Sequence, residues 1–229
     1  MDRRHFFHTV NAFGVDAALP VAARNELRVG VVGVGGAGGN VLSYLAERLP
    51  NLGRTIAINT DADSLHRCNA GRKILVGDIP NEPISTNAAR RLVVRLSARS
   101  AISEISEAVA GLDMVLLVAG MGGVAGTEIS PIVAQVLHEQ NIFTVGFPIL
   151  PFDFEGQSRG EIARQGAAEL GRHVHSLLPI FNETFAHAAG ESATMGDVFN
   201  QASLSILQHC QRVTGAVAAS RHAGLDLFA

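Results

Sequence analysis

Two β-branched, apolar runs, each broken by a glycine cluster and each followed by a helical pattern, constrain this chain more than anything else in it. Residues 27–34 (LRVGVVGV) lead into GGAGG at 35–39, and residues 114–119 (MVLLVA) lead into GMGGVAG at 120–126. A strand that is apolar at nearly every position has both faces buried, which is the condition of a strand inside a parallel sheet. Removing side chains from the turn after such a strand lets backbone N–H groups approach a phosphate, and the following helix N-terminus adds partial positive charge. The first turn carries Gly33-x-Gly35-x-x-Gly38, a spacing shared by nucleotide and dinucleotide sites. A second such turn fits a nucleotide with two or three phosphates gripped from two sides better than one pyrophosphate. No G-x-x-x-x-G-K-[ST] sequence is present, so charge compensation falls to backbone dipoles and Mg²⁺.

The remaining elements alternate. Helices are expected at 40–49 (stopped by Pro50), at 86–109 with a break near Ser100, at 129–140, at 161–175, and over a long stretch from about 194 to 220. Short strands are expected at 55–59, 73–76, 142–147 and 177–181, with a turn-rich stretch at 77–85. Strand–helix alternation predicts an α/β fold, Rossmann-like, with a parallel sheet and helices on both faces. Right-handed crossovers then bring both glycine turns to the carboxyl edge of that sheet. Residues 1–26 lack a clean period and are expected to form an N-terminal arm outside one domain at 27–229.

Composition narrows the function classes. The formal charge is -3 with no basic run, which argues against a nucleic-acid binder. No stretch approaches 18 unbroken apolar residues, so no membrane span is expected. Cys68 and Cys210 are distant, with no CxxC. They read as buried small hydrophobes in a reducing, cytoplasmic setting. The nine histidines form no metal-ligand constellation in sequence. His173 and His175, two apart on an expected helix, point to different faces, so no metal site is expected.

Four segments in order, GVGGAGGN (33–40), AINTDADSL (57–65), AGMGGVAGT (119–127) and PFDFEGQSR (151–159), resemble the nucleotide-binding domain of the FtsZ branch of the tubulin family, over roughly residues 27–225. The resemblance implies a GTP/GDP-binding, Mg²⁺-dependent, polymerising GTPase. It implies that Gly35, Gly36, Ala37, Gly38, Gly39 and Asn40 form a first phosphate loop, Asn40 also reaching the guanine. Gly122, Gly123, Val124, Ala125, Gly126 and Thr127 correspond to the second. Asp61 falls near the metal and phosphates, and equally reads as a helix cap. Glu155 and Arg159 match ribose and phosphate contacts, and as i,i+4 residues also read as a surface ion pair. Asn182 matches a base-side asparagine. Phe199 matches an aromatic that stacks on the base, although its periodicity alone reads as core.

Departures from the resembling pattern are as informative. The family's GGGTGTG reads here GGVAGTE, residues 122–128. Val124 puts a β-branched side chain where backbone is expected against phosphate. Glu128 puts a carboxylate at a helix start, where an acid is ordinarily favourable; if it faces the γ-phosphate position, like-charge repulsion weakens triphosphate binding by about 1–3 kcal/mol. Residues 77–85 (GDIPNEPIS) lack the family's third phosphate stretch, and Ser203 and Leu204 stand where an Asn-Asp pair reads the guanine edge. Of the acids in the family's catalytic loop, which acts across a subunit interface, Asp226 is the single counterpart. The chain stops at Ala229, so the family's second domain is expected to be absent and one face of the long helix to be solvated, self-associated or partner-bound. The expectation is a divergent FtsZ-like protein that binds guanine nucleotide weakly or has lost it, hydrolyses poorly, and associates with itself or with FtsZ-type filaments. The rival is a competent GTPase domain completed in trans. A dinucleotide-dependent oxidoreductase lacks any evident acid/base residue.

Overall fold

A computed structural model of the chain describes residues 27–49, 53–77, 87–190 and 192–222. The expected arm at 1–26, most of the turn-rich stretch at 77–85, and Asp226 lie outside them. Seven strands form one parallel sheet: β1 (Val29–Val34), β2 (Arg54–Asn59), β3 (Arg72–Leu75), β4 (Met114–Gly120), β5 (Phe143–Leu150), β6 (Ser176–Leu177) and β7 (Ile180–Phe181). Their order is β3-β2-β1-β4-β5-β6, with β7 also pairing β5. The chain steps outward from β1 through β2 to β3, then returns to place β4 on the other side of β1. The β1/β4 boundary is therefore the topological switch point, where the open crevice of such sheets lies.

Alternate residues of the central strands enter two separate cores. In β1, Val32 and Val34 face one cluster and Val31 the other; in β4, Val115, Leu117 and Ala119 alternate with Met114, Leu116 and Val118. All of these are at most 1% exposed, which explains why no polar residue interrupts either run. On one face lie α1 (Gly35–Arg48), α2 (Ala62–Arg67) and the long α8 (Met195–His222). On the other lie α3 (Asn87–Ser100), α4 (Ile102–Val109), α5 (Val124–Glu139) and α6 (Gln157–Gly171). A short α7 (Asn182–Ala189) precedes α8.

Several element boundaries differ from expectation. Both α1 and α5 begin inside their glycine clusters, at Gly35 and Val124 rather than at 40 and 129. Glycine's poor helix propensity hides a first turn that tertiary contacts hold in place. The expected strand at 177–181 is two two-residue strands. The helix expected to 175 ends at Gly171, so His173 and His175 sit in the connection to β6 rather than on a helix. Their rings each lie 6.5 Å from the His138 ring at the end of α5. The histidines that sequence spacing separates therefore cluster, at the sheet edge opposite the glycine turns. Both cysteines are buried, as expected, and burial pushes the Cys210 thiol up to about 12.

Candidate functional site

Strand register brings the two glycine turns together. Val34 of β1 pairs with Ala119 of β4, so Gly35 and Gly120, the next residue on each strand, leave the sheet side by side. Gly35 has φ +71°, and a Cβ on it would lie 3.0 Å from Gly126 N. A Cβ on Gly120 would lie 2.7 Å from the Cβ of Ala37. The two turns thus touch through backbone. A Cβ on Gly38 would come within 2.6 Å of Val118 O, so glycine there lets the first turn of α1 lie against β4. Gly36 and Gly123, by contrast, face open space.

Neither helix is capped by its own chain. The N-cap residues of α1 and α5 are Val34 and Gly123, and neither offers a side-chain acceptor. The starts of α4, α6 and α7 also lack a side-chain cap, whereas α2 and α8 are capped by side chains. Asp61 accepts from Asp63 N (3.0 Å), Ser64 N (3.2 Å) and Ser64 Oγ (2.7 Å) at the start of α2. Thr194 and Asp197 form a reciprocal capping box at α8. The N–H groups left open at a helix start are anion-binding groups, and here two such starts share one opening.

The residues singled out in sequence divide by side-chain direction. Gly36, Ala37 and Asn40 are exposed, whereas Gly35 and Gly38 are buried. In the second turn Gly122, Gly123, Val124 and Ala125 are half-buried. Val124 and Ala125 pack against the core beneath α3–α6. Thr127 is buried, and its hydroxyl accepts the Gly122 N–H at 2.9 Å, closing the turn from inside. Glu128 is 3% exposed and points away from the opening. Its oxygens pair with Arg91 Nε at 2.6 Å and Arg95 Nε at 2.8 Å, and Arg95 also reaches Glu169 of α6 at 2.9 Å. The carboxylate is thus paired with two arginines of α3.

The carboxyl end of β5 supplies the rest. Glu155 and Arg159 pair with each other at 3.0 Å, and Glu155 Oε1 also accepts the Phe152 N–H at 2.8 Å. A Cβ on Gly122 would lie 2.8 Å from Arg159 Cγ, so Arg159 lies alongside the second turn. Asn182, the first residue of α7, is 6% exposed, and its Oδ1 is buried without a hydrogen-bond partner among the described residues. Phe199 is 48% exposed and meets Phe152 edge-on at 5.9 Å, while Phe152 stacks on Phe154 at 5.0 Å. Phe199 is thus half in solvent rather than in the core, and Leu204 is exposed nearby on the same helix.

Sequence reasoning missed one part of the site. A cavity of about 80 Å³ lies beside the first turn, lined by Gly36 and Asn40 together with Ser43, Ser64, Arg67 and Cys68. It is far below the usual size of a nucleotide pocket, but Arg67 brings to the first turn a cation that the motif itself lacks. A cation site is a poorer fit. Among the described residues no group of three His, Cys, Asp or Glu side chains can hold a metal ion. Asp61 already spends both oxygens capping α2, and these bonds hold its carboxyl below the usual carboxylate range.

A family model described as the Tubulin/FtsZ family, GTPase domain, matches residues 28–190. The chain belongs to the tubulin/FtsZ family. The cell division protein FtsZ of Buchnera aphidicola subsp. Schizaphis graminum is 36% identical over 185 residues, covering 80% of this chain and 48% of its own length. That of Coxiella burnetii is 35% identical over 191 residues, covering 83% and 49%. Among solved structures, the empty FtsZ dimer of M. jannaschii superposes with a TM-score of 0.70 at 31% identity, over 80% of this chain and 52% of that one. The GTPgS-bound protofilament of CetZ2 from Haloferax volcanii superposes at 0.68 and 22% identity, over 85% and 59%, a likeness of fold alone. This tubulin/FtsZ-family chain spans about half the length of the curated relatives it matches. No helix among its described residues is long and apolar enough to cross a membrane.

Proposed function

We propose that this chain binds a guanine nucleotide across its paired glycine turns and works by association, with itself or with FtsZ-type filaments, in cell division or cytoskeletal organisation. One observation carries the reading: two uncapped helix N-termini meet at the switch point with Gly36 and Gly123 facing open space. In this reading the phosphates lie on Gly36–Asn40 and on Gly122–Ala125, with Arg159 at their edge and Arg67 behind the first turn. Gly126 and Thr127 shape the second turn from within. The base lies toward Asn182, whose unpartnered Oδ1 accepts an N–H donor, and against Phe199. Leu204 contributes no acceptor, so discrimination of guanine from adenine is weak. Mg²⁺ enters, where it is used, with the phosphates rather than through a protein-only site.

Hydrolysis by the chain alone is poor in this reading. Asp226 is the one acid that corresponds to the family's catalytic loop, and Gly224 and Ala229 stand where the loop's asparagine and second acid fall. The second reading is a GTPase domain completed in trans by an FtsZ-type neighbour, and the match to a GTPase-domain family favours it. Phosphate release separates the two. The first expects little GTP turnover by the chain alone and none beyond that of the FtsZ alone when the two are mixed; the second expects turnover in the mixture above that of the FtsZ alone. Thermal-shift titration with GTP, GDP, ATP and NAD, with and without Mg²⁺, tests the site. Stabilisation by GTP and GDP but not by NAD supports it. No stabilisation by any nucleotide removes the ligand-binding half.

A further inference from the structure

Helix α3 is built with its polarity reversed. Its inward side carries Val94 and Ala98, both fully buried, together with Arg91 and Arg95, which reach in to the buried Glu128. Its outward side carries the two largest aliphatic residues of the helix, Leu92 and Leu96, 59% and 56% exposed. At about 100° per residue these two leucines lie one turn apart on a single stripe, with Val93 beside it. Arg99 falls on one flank of the stripe and Arg90 on the other. Both are exposed, and neither has an ion pair among the described residues. Scattered exposed leucines are ordinary. A leucine pair aligned on a helix and flanked by two guanidiniums with no ion pair among the described residues has the layout of one half of a helix–helix contact.

We infer that the outer face of α3 is a docking ridge for an acidic amphipathic helix of a partner polypeptide, whose apolar residues cover Leu92 and Leu96 and whose carboxylates meet Arg90 and Arg99. Charge selects this occupant. The sequence of α3, NAARRLVVRLSARS, holds four arginines and no acid. Two copies laid ridge to ridge set arginine against arginine in either direction, which repels. A lipid surface demands an apolar face extended over many turns, whereas this stripe fills little more than one. An acidic amphipathic helix satisfies both the leucines and the flanking guanidiniums. The ridge uses none of the residues assigned to the nucleotide, so its failure and the failure of nucleotide binding are read by separate experiments.

The test places a photo-crosslinking amino acid at position 96 of the full chain, expressed in its own cells, and sequences the attached peptide. The expected product is a segment with apolar residues at i, i+4 spacing and net negative charge. Its synthetic copy should bind the full chain in fluorescence anisotropy, and at least tenfold more weakly when Arg90→Glu and Arg99→Glu are combined. All the altered side chains are exposed, so the double variant should melt within about two degrees of the parent. A crosslink to α3 of a second copy, to lipid, or to a segment without acidic residues overturns the inference. So does the absence of any crosslink, or binding that the double charge reversal leaves unchanged.

Discussion

Glu128 shows how one side chain's role turns on direction. Sequence placed a carboxylate at a helix start beside an anion site; the fold turns it inward onto two arginines of α3. Removing one partner of a buried ion pair strands the other charges, so Glu128→Ala is expected to destabilise by about 3–5 kcal/mol in urea unfolding. Glu128→Gln, which keeps hydrogen bonding, should cost about half as much. GTP affinity should not rise in either variant, because the carboxylate does not face the opening; a tighter complex in Glu128→Gln would place it there after all. The histidines give a second prediction at this scale. Burial and the neighbouring His138 hold His175 below the usual histidine range, and burial, with His138 and Arg172, does the same for His173 against the opposing pull of Glu169 and Glu139. His175 Nδ1 also accepts the Thr144 N–H at 3.1 Å, a bond that protonation there would break. The unfolded chain therefore binds protons more readily than the folded one. Stability should be full above about pH 6.5 and decline as pH falls below it toward the folded-state values. Urea midpoints at pH 7.5 and 5.5 check the sign, and His175→Gln should flatten the difference.

Among the elements, α1 and α5 decide the candidate site, and both start five residues before the sequence expectation for one reason. A run such as GGAGG has no intrinsic preference for helix; what makes it helical is contact with β4 and with the opposite turn, and these are long-range. The strands beneath them were plain, because continuous apolar runs have no other stable place in an α/β fold. Helix α7 escaped notice because NETFAHAAG is only two turns long. The motifs single out residues that the fold gathers along the carboxyl edge of the sheet, down to Asn182 and Phe199. The Arg67 cavity and the histidine cluster were not legible, since each joins residues that no local pattern links. Two glycines of the same helical turn give a paired test. Gly38→Ala drives a Cβ against Val118 O, so it should destabilise by about 1–3 kcal/mol and weaken nucleotide binding together. Gly36→Ala meets nothing; it should hold or raise stability by about 0.5–1 kcal/mol while lowering nucleotide affinity. If Gly36→Ala leaves affinity untouched, the phosphates do not lie on that turn.

At the scale of the whole molecule, the sheet separates its duties by edge and by face. Every residue carried over from the family resemblance and placed by the structure, from Asp61 after β2 to Asn182 after β7, follows the carboxyl end of a strand or begins α8. The histidine cluster occupies the amino end. Titrating the histidines should therefore lower stability without changing the nucleotide preference, a separation that thermal shifts with and without GTP at pH 7.5 and 6.0 can read. The paired starts of α1 and α5 carry a thermodynamic consequence of their own. Each brings roughly half an elementary positive charge, and with no ligand these partial charges oppose each other across the gap. An empty chain thus holds a small electrostatic tension that any oxyanion relieves. Sulfate or inorganic phosphate should raise the melting temperature beyond chloride at equal ionic strength, so the choice of buffer salt alone would register the site before any nucleotide is added.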